Sequence, residues 1–235
     1  MNDSIVKKIT NSSKRKSLFH FTRVRNLPSI AHLDALYSCN QVDPDLSNER
    51  RIVSREIHFH GNIFVANAHL RIADKVMDEK TTHRQFHNYL DQHVFFWPTQ
   101  RDCQKMLEIY SRREPDEAFA ILQLDAHSLL CDFYDTVKLS KYDSGSSPRY
   151  PTRCSYKKSL QMFLPLDQFE IVRENDVPSK PSEIREVLVE EKVTNLSRYL
   201  QTVYCENSKE IPEKWRKYTQ SFQDFKNRVI MLDRV

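Results

Sequence analysis

The sequence predicts an α+β domain, and three observations carry that prediction. Residues 18–24, LFHFTRV, alternate with period two, setting Leu18, His20 and Thr22 on one side of a strand and Phe19, Phe21 and Val24 on the other. Leu27, Ile30, Leu33 and Leu36 then recur at helical spacing. Further strand-like runs at 93–97, 117–124, 135–141 and 184–190 are interspersed with helical patterns, without an internal repeat or a low-complexity tract.

The elements follow in order. Residues 1–16 read as a basic arm, disordered or helical, ahead of the first strand. Asn26 is an expected N-cap, with Pro28 in the first turn of the helix that follows. Residues 40–60 are charged and read as a loop, and 62–68 as a short strand or the start of a helix. Thr81 or Thr82 caps a helix over 82–91, with Phe86, Tyr89 and Leu90 inward. HVFFW, 93–97, is an aromatic strand ended by Pro98. Thr99 caps a helix to about Arg112 whose buried face is Cys103, Met106, Leu107 and Tyr110. EAFAILQL, 117–124, and DTVKLSK, 135–141, read as strands, and a polar turn follows at 142–153. Residues 184–190 and 198–205 are the last strands, and Pro212 opens a helix to about Arg228. The expected division is an arm over 1–16, a domain over 17–205 and a C-terminal helix over 206–235.

Composition narrows the chemistry. At 235 residues and 39% hydrophobic content the chain can bury one ordinary core. Net charge is +4, but residues 1–25 hold Lys7, Lys8, Lys14, Arg15, Lys16, Arg23 and Arg25 against Asp3 alone. That asymmetry fits either a solvated terminus or an arm that seeks phosphates. There is no apolar run of membrane-spanning length and no apolar segment after the basic start, so neither a membrane span nor a secretory signal is expected. Five scattered cysteines without a C-x-x-C pair suit a reducing cytoplasm and argue against a disulfide framework or a cysteine zinc site. Only Gly61 and Gly145 are glycines, so neither a phosphate loop nor a dinucleotide-binding glycine turn can be built.

Metal and nucleophile chemistry find little support. His58 and His60 share a strand face and His83 and His87 a helix face, but neither pair has the companions of a known ligand pattern, so no metal is expected. No G-x-S-x-G elbow is present. Three separated pieces remain: His20 and Thr22 with Asn26, the aromatic strand ending in Phe96 and Trp97, and EIREVLVEEKV at 183–193. In the last, Val187 and Val189 point to a core, which leaves Glu186 either on a solvent side or in a site.

Taken together, the pieces resemble a known family. His20-Phe21-Thr22, Asn26-Leu27-Pro28-Ser29-Ile30, Val94-Phe95-Phe96-Trp97 and Glu186-Val187-Leu188-Val189 follow the motif order of ADP-ribosyltransferases of the DarT type, toxins that modify DNA. The chain resembles more closely an uncharacterised group of bacterial domains through HVFFWPT, LQLDAHSLL and LSKYDSGSS, with Asp143 where that group more often has asparagine. The resemblance covers about residues 18–205.

It implies an ADP-ribosyltransferase-like fold of two packed β-sheets with peripheral helices, and NAD as the substrate. Cleaving the nicotinamide–ribose bond builds positive charge on the ribose, which a carboxylate stabilises. The resemblance gives that role to Glu186. It gives NAD binding to His20, which would bond the adenosine-side ribose, and to Thr22 and Asn26 at the strand–helix turn. Phe96 or Trp97 would stack on nicotinamide or else pack in the core, and Arg71 would pair with the pyrophosphate or else stay solvated. The implied acceptor is nucleic acid, with a toxin or anti-phage role and a paired antitoxin or immunity partner. A protein acceptor, NAD hydrolysis, and a binding protein that has lost catalysis are the alternatives.

Overall fold

The computed structural model describes residues 2–48, 50–145, 150–152 and 154–232. In chain order the first elements are helix α1 (Asn2–Thr10), strand β1 (Ser17–Arg23), α2 (Leu27–Leu33), β2 (Ala35–Tyr37), α3 (Cys39–Val42), β3 (Arg55–Phe59), β4 (Asn62–Ala66), α4 (His83–Asp91), β5 (His93–Phe96) and α5 (Gln100–Arg113). There follow β6 (Phe119–Asp125), α6 (Ala126–Asp132), β7 (Val137–Ser140), β8 (Phe163–Pro165), β9 (Glu186–Glu190), β10 (Lys192–Thr194), β11 (Leu200–Cys205), β12 (Thr219–Gln220) and α7 (Phe222–Leu232). The architecture is mixed α+β with two four-stranded sheets, β1-β6-β11-β12 and β5-β9-β7-β8, and two two-stranded ones, β3-β4 and β10-β2. The chain divides into two units, one of Met1–Leu36, Phe95–Tyr134 and Val193–Val235, the other of Tyr37–Val94 and Asp135–Lys192.

The first unit is organised by β6, whose Ala120, Ile121, Leu122 and Leu124 are fully buried between antiparallel β1 and β11. His20 stands opposite Leu122 in the β1–β6 register. The predicted arm is helix α1, and it is part of this unit: Ile5, Val6 and Ile9 are buried, and α1 packs on α6. Apolar residues at i, i+1 and i+4 make one helical face that pulls the segment onto the domain. Much of the predicted basic excess is used internally as well. Arg23 is buried and pairs with Glu114 (2.6 Å) and Glu117, Arg25 pairs with Glu117, and Lys7 pairs with Asp3 (2.5 Å). Lys8, Lys14 and Lys16 stay exposed.

Helix α5 forms as its pattern predicts, with the Thr99 hydroxyl accepting from the Asp102 amide and Cys103, Met106, Leu107 and Tyr110 buried. The C-terminal helix predicted from Pro212 to Arg228 is broken. A 3-10 turn over Glu213–Tyr218 buries Trp215, Thr219 and Gln220 then extend to pair with Val203 and Tyr204 of β11, and α7 starts only at Phe222. Strand pairing beside Tyr204 overrides the helical spacing of the aromatic side chains there. Phe225 is fully buried edge-on to Tyr204 and Phe19, at ring separations of 5.0 and 5.9 Å.

In the second unit, residues 55–66 form the antiparallel hairpin β3–β4, so the end of the predicted 40–60 loop, Arg55–Phe59, is ordered strand. The hairpin turns at His60 and Gly61, both with positive φ (48° and 71°), a backbone that suits glycine. Thr82 starts α4 with a capping box to Gln85. Strand β9 lies between β5 and β7, and its residues from Glu186 through Val189 are all buried. Among the described residues no helix is long and apolar enough to cross a membrane.

Candidate active site

Strand β9 gives the strongest chemical signal in the second unit. A strand in mid-sheet covered on both faces reads as a continuous apolar run, and Glu186 interrupts that run at its first position. The choice left open by the sequence is settled against the solvent side, since only 1% of Glu186 is exposed. Its Oε2 accepts a hydrogen bond from the Ser144 amide at 3.0 Å, and its register partner on β7 is Ser140. Two motifs that the sequence presents forty residues apart, E-V-L-V and S-K-Y-D-S-G, therefore meet at one carboxyl.

Lys158 completes this group. It is fully buried, and its Nζ donates to the backbone oxygens of Asp143 (2.9 Å) and Ser144. Its own backbone is held by Val76 and Asp78, its N–H donating to the Val76 oxygen at 2.7 Å and its carbonyl accepting from the Asp78 amide at 2.9 Å. The Asp143–Ser144 segment is thus held by an acid from one side and an ammonium from the other. Tyr142 and Tyr156 stack beside it with ring centroids 3.6 Å apart and planes within 10°. Burial, with the nearby Asp143 charge, pushes the Glu186 carboxyl up to about 8, against the pull of the Ser144 hydrogen bonds and Lys158. Burial lowers the Lys158 ammonium to about 8, opposed by Asp143 and Glu186. Near neutral pH the site therefore holds a carboxyl that desolvation keeps largely protonated. Lys158 carries no sequence motif; it lies beyond the polar turn read over 142–153, and only the fold reveals its partners.

The first unit holds His20, Thr22 and Asn26. His20 is half-buried on β1, and its Nδ1–H donates to the Phe95 carbonyl at 2.8 Å. Burial lowers its pKa to about 4, against the opposing effect of that bond, so the ring is neutral at pH 7. A neutral imidazole with a proton fixed on Nδ1 has Nε2 as a bare acceptor. Among the described residues that nitrogen has no hydrogen-bond partner. Thr22 and Asn26 are both buried, and the Asn26 amide donates to the Thr22 hydroxyl at 3.4 Å. Asn26 stands at the N-cap position of α2 but makes no capping bond, because a 3-10 turn over Val24–Asn26 already holds it in helical conformation.

Phe96 and Trp97 differ from expectation. Phe96 has no exposed surface and lies 5.6 Å from the His20 ring; Trp97 is 5% exposed and packs at 5.5 Å on Phe21. Trp97 also exchanges backbone hydrogen bonds with Phe19, 2.8 and 2.9 Å long. Both rings are core, and neither offers an open face for stacking on a ligand. Arg71 is exposed and belongs to the second unit, as does Glu186.

One buried network escaped the sequence reading. Arg51 makes two 2.6 Å bonds to Asp91, and His69 Nε2–H donates to the same carboxylate at 3.1 Å while its Nδ1 accepts from the Arg51 amide. Burial alone would raise the Asp91 carboxyl, but His69 and Arg51 hold it below the ordinary range. Every member is satisfied, and the network ties α4 to the segment before the hairpin.

The fold and the Glu186 group define an α+β protein with a buried titratable site on a central strand. The chain belongs to the family of unknown function DUF7002, whose model matches residues 16–200. No curated protein matches it. Among solved structures it is similar to Thermus sp. 2.9 DarT in complex with NAD+, at 13% identity and a TM-score of 0.40, over 84% of this chain and 85% of that one. It is similar also to Thermus sp. 2.9 DarT in complex with ADP-ribosylated ssDNA, at 12% identity and a TM-score of 0.40, over 83% and 84% of the two chains.

Proposed function

We propose that this protein is an NAD-dependent ADP-ribosyltransferase whose acceptor is nucleic acid, with Glu186 as the acid that acts at the ribose. The observation that carries the reading is the placement of Glu186: a carboxyl at the head of the E-V-L-V strand, held by the Ser144 amide of the S-K-Y-D-S-G segment. A buried carboxyl fixed by one backbone amide costs no reorganisation when positive charge develops beside it. In the reaction the bond between nicotinamide nitrogen and the ribose anomeric carbon breaks, and nicotinamide leaves with the electron pair. The ribose passes through an oxocarbenium-like state that the Glu186 carboxylate stabilises. A nucleophilic atom of the acceptor then forms the new bond to the anomeric carbon and gives up a proton.

His20, in the first unit, is a second candidate NAD-binding group. Its Nε2 accepts from a ribose hydroxyl, because Nδ1–H is committed to Phe95. Thr22 and Asn26 stiffen the strand–helix turn through their mutual bond. Arg71, exposed, is kept as the candidate partner for pyrophosphate. Phe96 and Trp97 act indirectly, as the core under His20 and β1. For the acceptor the support is narrower than the basic arm suggested, since α1 is docked, Lys7 is paired with Asp3, and Lys8, Lys14 and Lys16 are the other exposed lysines of its stretch.

The test is mass spectrometry of single-stranded DNA, RNA and the protein itself after incubation with NAD. An ADP-ribose adduct on a nucleic acid, absent with Glu186→Gln, is the expected result. An adduct on protein alone moves the acceptor to protein, and free ADP-ribose alone reduces the activity to hydrolysis.

A further inference from the structure

We propose that Asp3, His127 and Cys131 form a zinc site that clamps helix α1 onto helix α6. His127 and Cys131 are four residues apart in α6, which places both side chains on one face. Asp3 comes from the first turn of α1, which packs against that face. One donor atom from each residue lies within 4.8 Å of the others. His127 Nε2 is 3.1 Å from Asp3 Oδ1, and Cys131 Sγ is 3.9 Å from His127 Nδ1.

Tetrahedral zinc bonds of about 2.0–2.1 Å to N and O and about 2.3 Å to S set ligand atoms roughly 3.3–3.6 Å apart. Zinc takes one ring nitrogen of His127, whereas here Nε2 faces Asp3 and Nδ1 faces Cys131, so the donors, which lie within 4.8 Å of one another, must close by about 1.2–1.5 Å through side-chain rotation about the imidazole. The donor set also selects the ion. A thiolate and an imidazole with a single carboxylate suit zinc, whereas magnesium and calcium need all-oxygen shells. The other oxygen of Asp3 is paired with Lys7 at 2.5 Å, so a second contact already orients the carboxylate. With 56% of the Asp3 side chain and 42% of the His127 side chain exposed, an ion can enter from water, and water completes the fourth position.

Binding involves no change of oxidation state. The Cys131 S–H bond breaks, its proton passes to solvent, and the sulfur electron pair forms the bond to zinc. His127 binds as neutral imidazole and Asp3 as carboxylate. Because residue 3 and residues 127 and 131 are far apart in the chain, one ion would close a long loop and fix the first helix of the protein.

The experiment is titration of the full-length, metal-free protein with cobalt(II) as the spectroscopic probe. A saturable thiolate-to-cobalt absorption at one equivalent, displaced by one equivalent of zinc, is expected. Cys131→Ser removes that absorption, His127→Gln weakens zinc binding at least about tenfold, and Cys39→Ser, a half-buried cysteine elsewhere, leaves both unchanged. Zinc should also slow amide exchange at Val6 and Ile9 by about tenfold or more in wild type and not in Cys131→Ser. Circular dichroism of the metal-free variants checks that each is folded. The proposal is overturned by the lack of a thiolate band, by a band that survives Cys131→Ser, or by zinc binding that leaves α1 exchange unchanged. None of these outcomes depends on NAD chemistry, so the site stands or falls apart from the proposed activity.

Discussion

His20 and Glu186 are both polar residues on strands rich in buried apolar side chains, and the fold treats them in opposite ways. One backbone carbonyl, that of Phe95, fixes the histidine tautomer and leaves a single acceptor. Glu186 is surrounded by a backbone amide, a buried lysine and a neighbouring aspartate, all in or bonded to one segment. Burial drives both to the neutral form, the histidine to about 4 and the acid to about 8. The consequences differ. Losing a proton-bearing environment at His20 disturbs one hydrogen bond, whereas any change at Glu186 or Lys158 exposes the rest of the group as unpaired buried polarity.

The largest expected effect follows from that contrast. Lys158→Ala removes the ammonium that satisfies two buried carbonyls and faces Glu186, and should cost about 3–5 kcal/mol in urea unfolding. Lys158→Met keeps most of the volume without a charge and should cost clearly less. Equal costs would show that the hydrogen bonds and charge of the ammonium, not the volume of the side chain, hold the Asp143–Ser144 segment.

A smaller effect sharpens the other side. His20→Ala should weaken NAD binding by roughly fivefold, the worth of about 1 kcal/mol for one hydrogen bond, with melting temperature nearly unchanged. Phe96→Ala beside it should do the reverse, destabilising by about 3–5 kcal/mol while NAD affinity per folded molecule is kept. Isothermal titration alongside thermal melts separates the two. If His20→Ala lowers stability as much as Phe96→Ala does, His20 is a packing residue.

How far the sequence revealed these regions follows from what each depends on. Strand β1, helix α5 and the cap at Thr82 are local, set by alternation, helical spacing and capping chemistry, and they form as read. Glu186 was legible as a misfit in an apolar strand, but its burial depends on cover from both sides of a sheet, which no local pattern states. The side-chain bonds of Lys158 and of the Arg51–Asp91–His69 network join residues 14 to 40 positions apart through tertiary contacts alone. Phe96 and Trp97 show the converse. An aromatic strand fits a stacking platform and a core equally well in sequence, and the bonds of Trp97 to Phe19 decide for the core. The broken C-terminal helix has the same origin, since pairing to β11 is a tertiary event.

Nicotinamide release from NAD, measured from pH 6 to 9 for wild type and Glu186→Gln, tests the central claim most directly. The raised carboxyl is protonated below about 8 and ionised above it, so a reaction that needs the carboxylate should accelerate as pH rises through that value and then level off. Glu186→Gln cannot ionise, and its rate should be lower by roughly 10²–10³ and flat across the range. A wild-type rate that is level from pH 6 to 9, or a Glu186→Gln rate equal to wild type, would contradict the account.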